Sequence, residues 1–339
     1  MAKDASASPP PSRPAAGGLG RDQLIAAYRT MRTIREFEER VHQEFAAGQI
    51  PGAVHLYAGQ EAVATGVCAA LAEGDYIAST HRGHGHAIAK GCDLTGMMLE
   101  IYGRAGGLCG GKGGSMHIAD FDRGMLGANG IAAGGVPLAC GAALSAKLRD
   151  SGQVAVAFVG DGGANQGAFA ESLTLAAVWH LPVVFVVEDN GYAQATGTRF
   201  HLGGRDVAPR AEAVGIPAAV VDGYDFFAVH GAATAAVERA RTGGGPTLLD
   251  CKAQRFFGHM EGWDQQGYRA PGEIDTLRAE HDCVRVFTDR VVKGGSLAWR
   301  DLVWVDREVR AAVDTAVAAA RDAGDPETDE LHTDVYVSY

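Results

Sequence analysis

The stretch VAVAFVGDGGANQG, Val154–Gly167, decides the fold. Its opening run is apolar and rich in valine, too short for a helix and unbroken by polar residues. It predicts a strand buried on both faces. Glycines and Asp161 then turn the chain, and a helical pattern runs from about Asn165 to His180. A second apolar run, Val183–Val187, follows and is closed by EDNGY (188–192). Further on, Ala218–Val221 reads as a strand, Phe226–Arg241 as a helix and Thr247–Cys251 as a strand. Short, continuously apolar strands alternating with helices predict an α/β fold: a parallel sheet with helices on both faces.

Toward the N-terminus, Leu24, Tyr28, Met31, Ile34, Phe37, Val41 and Phe45 recur at steps of three and four. They predict a helix over 22–47 with one apolar face, closed by Gly48 and Pro51. Residues 59–71 carry another helical pattern, DYIAST (75–80) a short strand, and 95–102 a further helix. Gly103–Gly135 is dense in glycine and lacks a sustained period. Met116, Ile118, Phe121, Met125 and Leu126 make it too apolar for disorder, so a functional loop is expected. The last helix is predicted over 306–323, and HTDVYVSY (332–339) as an edge strand. Pro, Ser, Ala and Gly dominate residues 1–20, which read as a disordered tail rather than a secretory signal.

The composition narrows the function. The chain has 339 residues, of which 47 are glycine, and a net charge of −11. That length suits two or three modules, or one large α/β domain with extensions. The reading is a unit over 21–339, with a catalytic core about 50–260 and a helical extension about 270–339. The acidic balance argues against nucleic-acid or anionic-membrane binding, which need basic patches. No apolar run reaches the ~20 residues of a membrane span. The cysteines (Cys68, Cys92, Cys109, Cys140, Cys251, Cys283) are scattered without a C-x-x-C pair, so zinc and redox motifs are unsupported. Their small apolar neighbours predict buried thiols in a reducing compartment, hence a cytoplasmic location.

Chemistry is expected at the carboxyl ends of the strands, where open parallel sheets bind ligands. Glycines after a strand admit an anion to backbone N–H groups, and a helix N-terminus adds positive charge. Asp161 conflicts with a phosphate unless a cation lies between them, which predicts Mg²⁺ on Asp161 and Mg²⁺ on the phosphates. Asn190, at the end of the next strand, supplies the second oxygen ligand. The alternative is two ordinary Gly/Asn turns. A nicotinamide fingerprint fails, because G-x-G-x-x-G counted from Gly160 meets Asn165 in place of its last glycine. Gly106–Gly113 (GGLCGGKG) imitates a P-loop, but Gly113 replaces the Ser or Thr that holds Mg²⁺. HRGHGH places His81, His84 and His86 beside glycines in a loop, without the spacing of a zinc site. Anion contact is expected for His81 and local hydrogen bonding for the other two. His259, in GHMEGWDQQGYR, is read as part of a mobile active-site loop, or else as a solvated loop histidine.

GDGGANQG with EDNGY resembles the thiamine-diphosphate motif, which opens with GDG and closes with an NN-type turn. Together with GAVHLYAGQEAV (52–63), STHRGHGHAIAKG (79–91), GKGGSMHIADF (111–121), GANGIAAGGVPLACGAAL (127–144), RFFGH (255–259) and TDVY (333–336), it resembles one family. That family is the α subunits of the E1 component of 2-oxo acid dehydrogenase complexes. The resemblance covers about 21–339 and is nearest to the acetoin dehydrogenase branch, with pyruvate dehydrogenase the alternative and a non-catalytic scaffold subunit a more distant one. It implies the thiamine-diphosphate-binding fold, thiamine diphosphate and Mg²⁺ as cofactors, and transfer of a two-carbon unit to a lipoyl-bearing E2 protein. It implies a β subunit that completes the site in a heterotetramer of two α and two β chains. By the same resemblance Asp161, Asn190 and the backbone oxygen of Tyr192 match Mg²⁺ ligands, and Gly162 and Gly163 match diphosphate contacts. His81 and Arg82 match holders of the terminal phosphate, Arg255 a phosphate-side arginine, and Gly130 and Ala132 contacts to the aminopyrimidine. His55 and His259 match histidines near the reacting carbon. Two residues depart from the pattern: Asp189, where the family usually has Asn, and His81, where pyruvate enzymes usually have Tyr.

Overall fold

A computed structural model describes residues 18–204, 206–263 and 267–336. Helix α1 (Arg21–Ala46) leads into α2 (Glu61–Cys68), strand β1 (Tyr76–Ala78), α3 (His84–Lys90) and α4 (Leu94–Ile101). After the glycine-rich stretch come α5 (Gly135–Arg149), β2 (Ala155–Gly160), α6 (Gly167–Trp179) and β3 (Val183–Asp189). A small hairpin, β4 (Tyr192–Ala193) and β5 (Thr196–Gly197), precedes α7 (Thr198–His201), α8 (Ala208–Glu212), β6 (Ala218–Asp222), α9 (Phe226–Arg241) and β7 (Thr247–Lys252). Helices α10 (Glu273–Glu280), α11 (Cys283–Lys293) and α12 (Trp299–Asp322) complete the described chain.

Five strands form one parallel sheet in the order β1-β2-β3-β7-β6. Side chains on a strand alternate between faces, so each apolar run serves two cores. Val156, Phe158, Val184 and Val186 face the core under α2, α3, α4 and α9. Ala155, Ala157, Val183 and Phe185 face the core under α5, α6 and α8. This double burial is why the strands read as unbroken apolar runs. The register pairs Gly160 with Glu188 and Asp189 with Lys252, which aligns the carboxyl ends of β2, β3 and β7 on one rim. Outside the first core, α12 lies along α1 and is tied to it by Arg29–Glu308, Arg32–Asp306 and Arg40–Asp314.

Several expectations are corrected. HRGHGH is not wholly loop: His84 and His86 begin α3, because tertiary partners satisfy both rings where glycine propensity disfavours a helix. Helix α5 inverts the usual pattern, burying Gly135, Ala139, Cys140 and Ala143 and exposing Leu138 and Leu148. No apolar period therefore announced it. Among the described residues, 332–336 form no strand; residues 337–339 lie outside the description. The anticipated tail lies outside it over 1–17, whereas Leu19 packs on the core of α1, α9, α11 and α12 and Gly20 precedes α1.

Glycine-rich residues 103–114 fold around one buried carboxylate. Glu100, on α4, accepts hydrogen bonds from the backbone N–H groups of Cys109, Gly111, Gly113 and Gly114 at 2.6–3.0 Å. Part of the same loop meets this chain's own C-terminal segment: Ala105 N–H donates to Gly324, and Lys112 pairs with Asp334 at 2.5 Å.

Candidate active site

On the rim where β2 and β3 end lies a cavity of about 320 Å³. Asp161, Gly162 and Gly163 enter it from the turn after β2, and Asn190 and Tyr192 from the turn after β3. His81 and Arg82 arrive from the segment between β1 and α3, Ala132 from the approach to α5, and Arg255 and His259 from the chain after β7. Two residues expected at the site are not on the cavity wall. Gly130 is exposed, and a side chain there would press on His117 (3.2 Å). His55 stands one layer behind, with its ring 4.6 Å from that of His81 and 4.9 Å from that of His259.

The turns are shaped by glycine. A Cβ on Gly162 would lie 2.6 Å from the Cβ of Ala193, so the β2 turn and the hairpin touch only because Gly162 has none. Gly191 holds φ +84° between Asn190 and Tyr192, a conformation that favours glycine. Asn190 donates from Nδ2 to Gln60 (3.1 Å), which leaves its amide oxygen as the cavity-side acceptor, approached by the N–H of Tyr192 at 3.4 Å.

Two buried guanidiniums dominate the electrostatics. Arg82 donates to the carbonyls of Leu56 and His259, and Arg255 to the carbonyl of Gln194 at 3.1 Å. Neither has a carboxylate partner among the described residues, and Nε and Nη1 of Arg255 are buried without any acceptor. Burial, then the neighbouring Arg255, lowers the pKa of Arg82 to about 9. Buried cations without counter-charge define an anion site.

The same charges set the histidines. Burial first and Arg82 second lower His55 to about 2, His81 to about 3 and His259 to about 3. All three are neutral imidazoles at pH 7. Their ring nitrogens converge within 4.8 Å. A metal there would face Arg82 and Arg255, so a neutral or anionic ligand suits the trio better. His55 Nδ1 is buried without a partner. Trp263, half exposed, lies 6.2 Å from His259, ring to ring.

Asp161 has the opposite imbalance. Burial and the like charge of Asp189 raise its pKa to about 6, and its Oδ2 is buried without a hydrogen bond. Asp189, the departure from the family pattern, is itself neutralised by Lys252 at 2.6 Å. An unmet carboxylate oxygen beside unmet guanidiniums fits a cation and a polyanion bound together.

Some residues at this rim carried no signal in the sequence. Glu188 was visible only as the acid after an apolar run. It accepts from Tyr57 and from His86 Nε2 (3.1 Å), and His86 Nδ1 accepts in turn from Ser79 (2.7 Å). His84 bridges Glu38 and Ser115, both at 2.9 Å. Both histidines are therefore satisfied core groups. His201, remote from every motif, stands 3.2 Å from Asp161.

Comparison with known proteins agrees with this geometry. The family profile described as dehydrogenase E1 component matches residues 29–329. The α subunit of acetoin:2,6-dichlorophenolindophenol oxidoreductase from Cupriavidus necator is 56% identical over 95% of this chain and 96% of its own length. The protein of the same name from Bacillus subtilis is 52% identical over the same shares. The pyruvate dehydrogenase E1 component subunit α of Rhizobium meliloti is 39% identical over 97% of this chain and 96% of its own.

Proposed function

The chain belongs to the dehydrogenase E1 component family, and on that premise we propose that it is the α subunit of a thiamine-diphosphate-dependent acetoin dehydrogenase. It cleaves acetoin and passes the two-carbon unit to the lipoyl group of an E2 partner. The observation that carries this reading is the cavity in which uncompensated Arg82 and Arg255 face the unmet carboxylate of Asp161.

Thiamine diphosphate, when bound, supplies the carbanion chemistry that breaks the carbon–carbon bond. Arg82, Arg255 and His81 bind its diphosphate, and the N–H groups of Gly162 and Gly163 approach the same oxygens. Asp161, Asn190 and the carbonyl of Tyr192 hold Mg²⁺. Ala132, on the cavity wall, offers a backbone contact to the aminopyrimidine, whereas Gly130 stands off that wall. His259, on the cavity wall, and His55 behind it are neutral, so each accepts or donates a hydrogen bond without imposing charge. His259, on the wall, is the ring placed to meet a substrate oxygen, and His55 backs that ring from 4.9 Å away. The substrate is small and uncharged, which suits three neutral rings.

Completion of the site falls to a β subunit, in a heterotetramer of two α and two β chains located in the cytoplasm. No helix of the described residues is long and apolar enough to cross a membrane. Turnover by the co-purified α/β pair, with an artificial electron acceptor and acetoin, pyruvate or 2-oxoisovalerate, tests the assignment. Acetoin is expected to be fastest. Faster turnover of pyruvate would move the chain to the pyruvate dehydrogenase branch, whose Rhizobium α subunit it also resembles.

A further inference from the structure

We propose that His201 is a positioning residue of the cation site, its Nε2–H steering the carboxylate of Asp161; this rests on the reading of Asp161 as a cation ligand. Asn165 Oδ1 accepts from Arg210 Nη2 at 2.8 Å, which fixes which end of the amide carries the hydrogens. Asn165 Nδ2 is then the donor toward His201 Nδ1, 3.2 Å away. A ring whose Nδ1 accepts carries its hydrogen on Nε2, and that atom stands 3.2 Å from Asp161 Oδ2. Arg210 also donates to the carbonyl of Ala164 at 2.7 Å, so the relay Arg210–Asn165–His201 is anchored on the turn that carries Asp161.

The contact between His201 and Asp161 is close but incomplete. Both Nε2 and Oδ2 are buried, and neither makes a hydrogen bond of good geometry. His201 is absent from the cavity wall, so it does not compete with the cofactor for the cation. It approaches from the side, on α7, which the β4–β5 hairpin brings back through the hydrogen bond from Thr198 N–H to Gly191 (2.9 Å). An N–H facing one carboxylate oxygen from 3.2 Å favours the orientation that leaves the other lone pairs toward a cation. Partners of this kind are worth roughly 10–100-fold in metal affinity.

The test uses the chain co-purified with its β partner, with thiamine diphosphate present and Mn²⁺ as the probe, followed by its electron paramagnetic resonance. His201→Leu is expected to weaken Mn²⁺ binding about tenfold. His201→Gln, whose side-chain amide hydrogen reaches the place of Nε2–H, is expected to restore most of the loss. Asn165→Ala removes the donor to Nδ1 without adding a charge or touching Asp161 and is expected to reproduce part of the His201→Leu defect. Wild-type Mn²⁺ affinity in His201→Leu and Asn165→Ala overturns the proposal. If His201→Leu fails to assemble, Asn165→Ala, an exposed position, decides alone. Asp161→Ala is the separate control: if it keeps Mn²⁺ binding, the cation-site reading fails, whatever His201 does.

Discussion

Asp161 sits where the cofactor-free chain least favours a negative charge, buried and beside Asp189. Function and stability should therefore part company at this residue. Asp161→Asn is expected to raise the melting temperature of the cofactor-free chain by a few degrees and to abolish cation-dependent cofactor binding, measured by calorimetry and titration. His259→Ala is expected to fold normally and to lose roughly 10²–10⁴ in turnover at saturating cofactor. Unchanged turnover would make His259 a loop residue only. The histidine trio also predicts a pH dependence. Folding lowers His55, His81 and His259 to about 2, 3 and 3 from 6.5, so below about pH 6.5 the unfolded chain binds protons that the folded chain refuses. Stability is therefore lost progressively as the pH falls from about 6.5 toward the folded values of about 3. Replacing His81 by Gln should flatten the fall in melting temperature between pH 7 and 5. Much of the site was legible at this scale, because glycine next to Asp161 and Asn190 at strand ends has a chemical motive. His201 was not, since nothing local to FHLGG hints that a hairpin returns it to Asp161. Nor was the placement of His55 behind the wall, which depends on tertiary packing.

At the scale of elements, the strands were easy to read because burial on both faces writes itself as continuous valine. Helices α1 and α9 were legible from apolar recurrence and a clear end. Helix α5 was hidden by its inverted pattern, and α3 by glycines whose cost is offset by the bonds of His84 and His86. The glycine-rich loop was expected to be functional, but its organiser was missed. Glu100 serves four N–H groups from residues up to fourteen positions away. Glu100→Gln replaces one acceptor oxygen by a donor facing donors. It should cost about 2–3 kcal/mol in unfolding free energy and speed amide exchange over 103–117. Wild-type protection there would show that the C-terminal segment holds the loop alone.

At the scale of the whole molecule, one set of exposed apolar side chains among the described residues lies along two neighbouring helices. Ile131 at the cavity mouth and Leu138, Leu148, Val178 and Trp179 along α5 and α6 are between 45% and 78% exposed. On α5, large side chains outside and mostly small ones inside suit a helix that receives another subunit. Ile131→Asp with Leu138→Glu is expected to leave the isolated chain folded by circular dichroism and to prevent its co-purification with the β chain. Retained assembly would place the interface elsewhere. The isolated wild-type chain should not turn over acetoin.

The ring of Trp263 beside His259 gives the chain its own optical reporter. All four tryptophans are at least 45% exposed, so emission from the isolated chain should be strongly red-shifted. Filling the cavity would change the surroundings of Trp263, whereas docking of a second chain would dry Trp179 and leave Trp299 and Trp304 on α12 in water. Loading and assembly would then appear as separate changes in intensity and wavelength, followed in real time without a label.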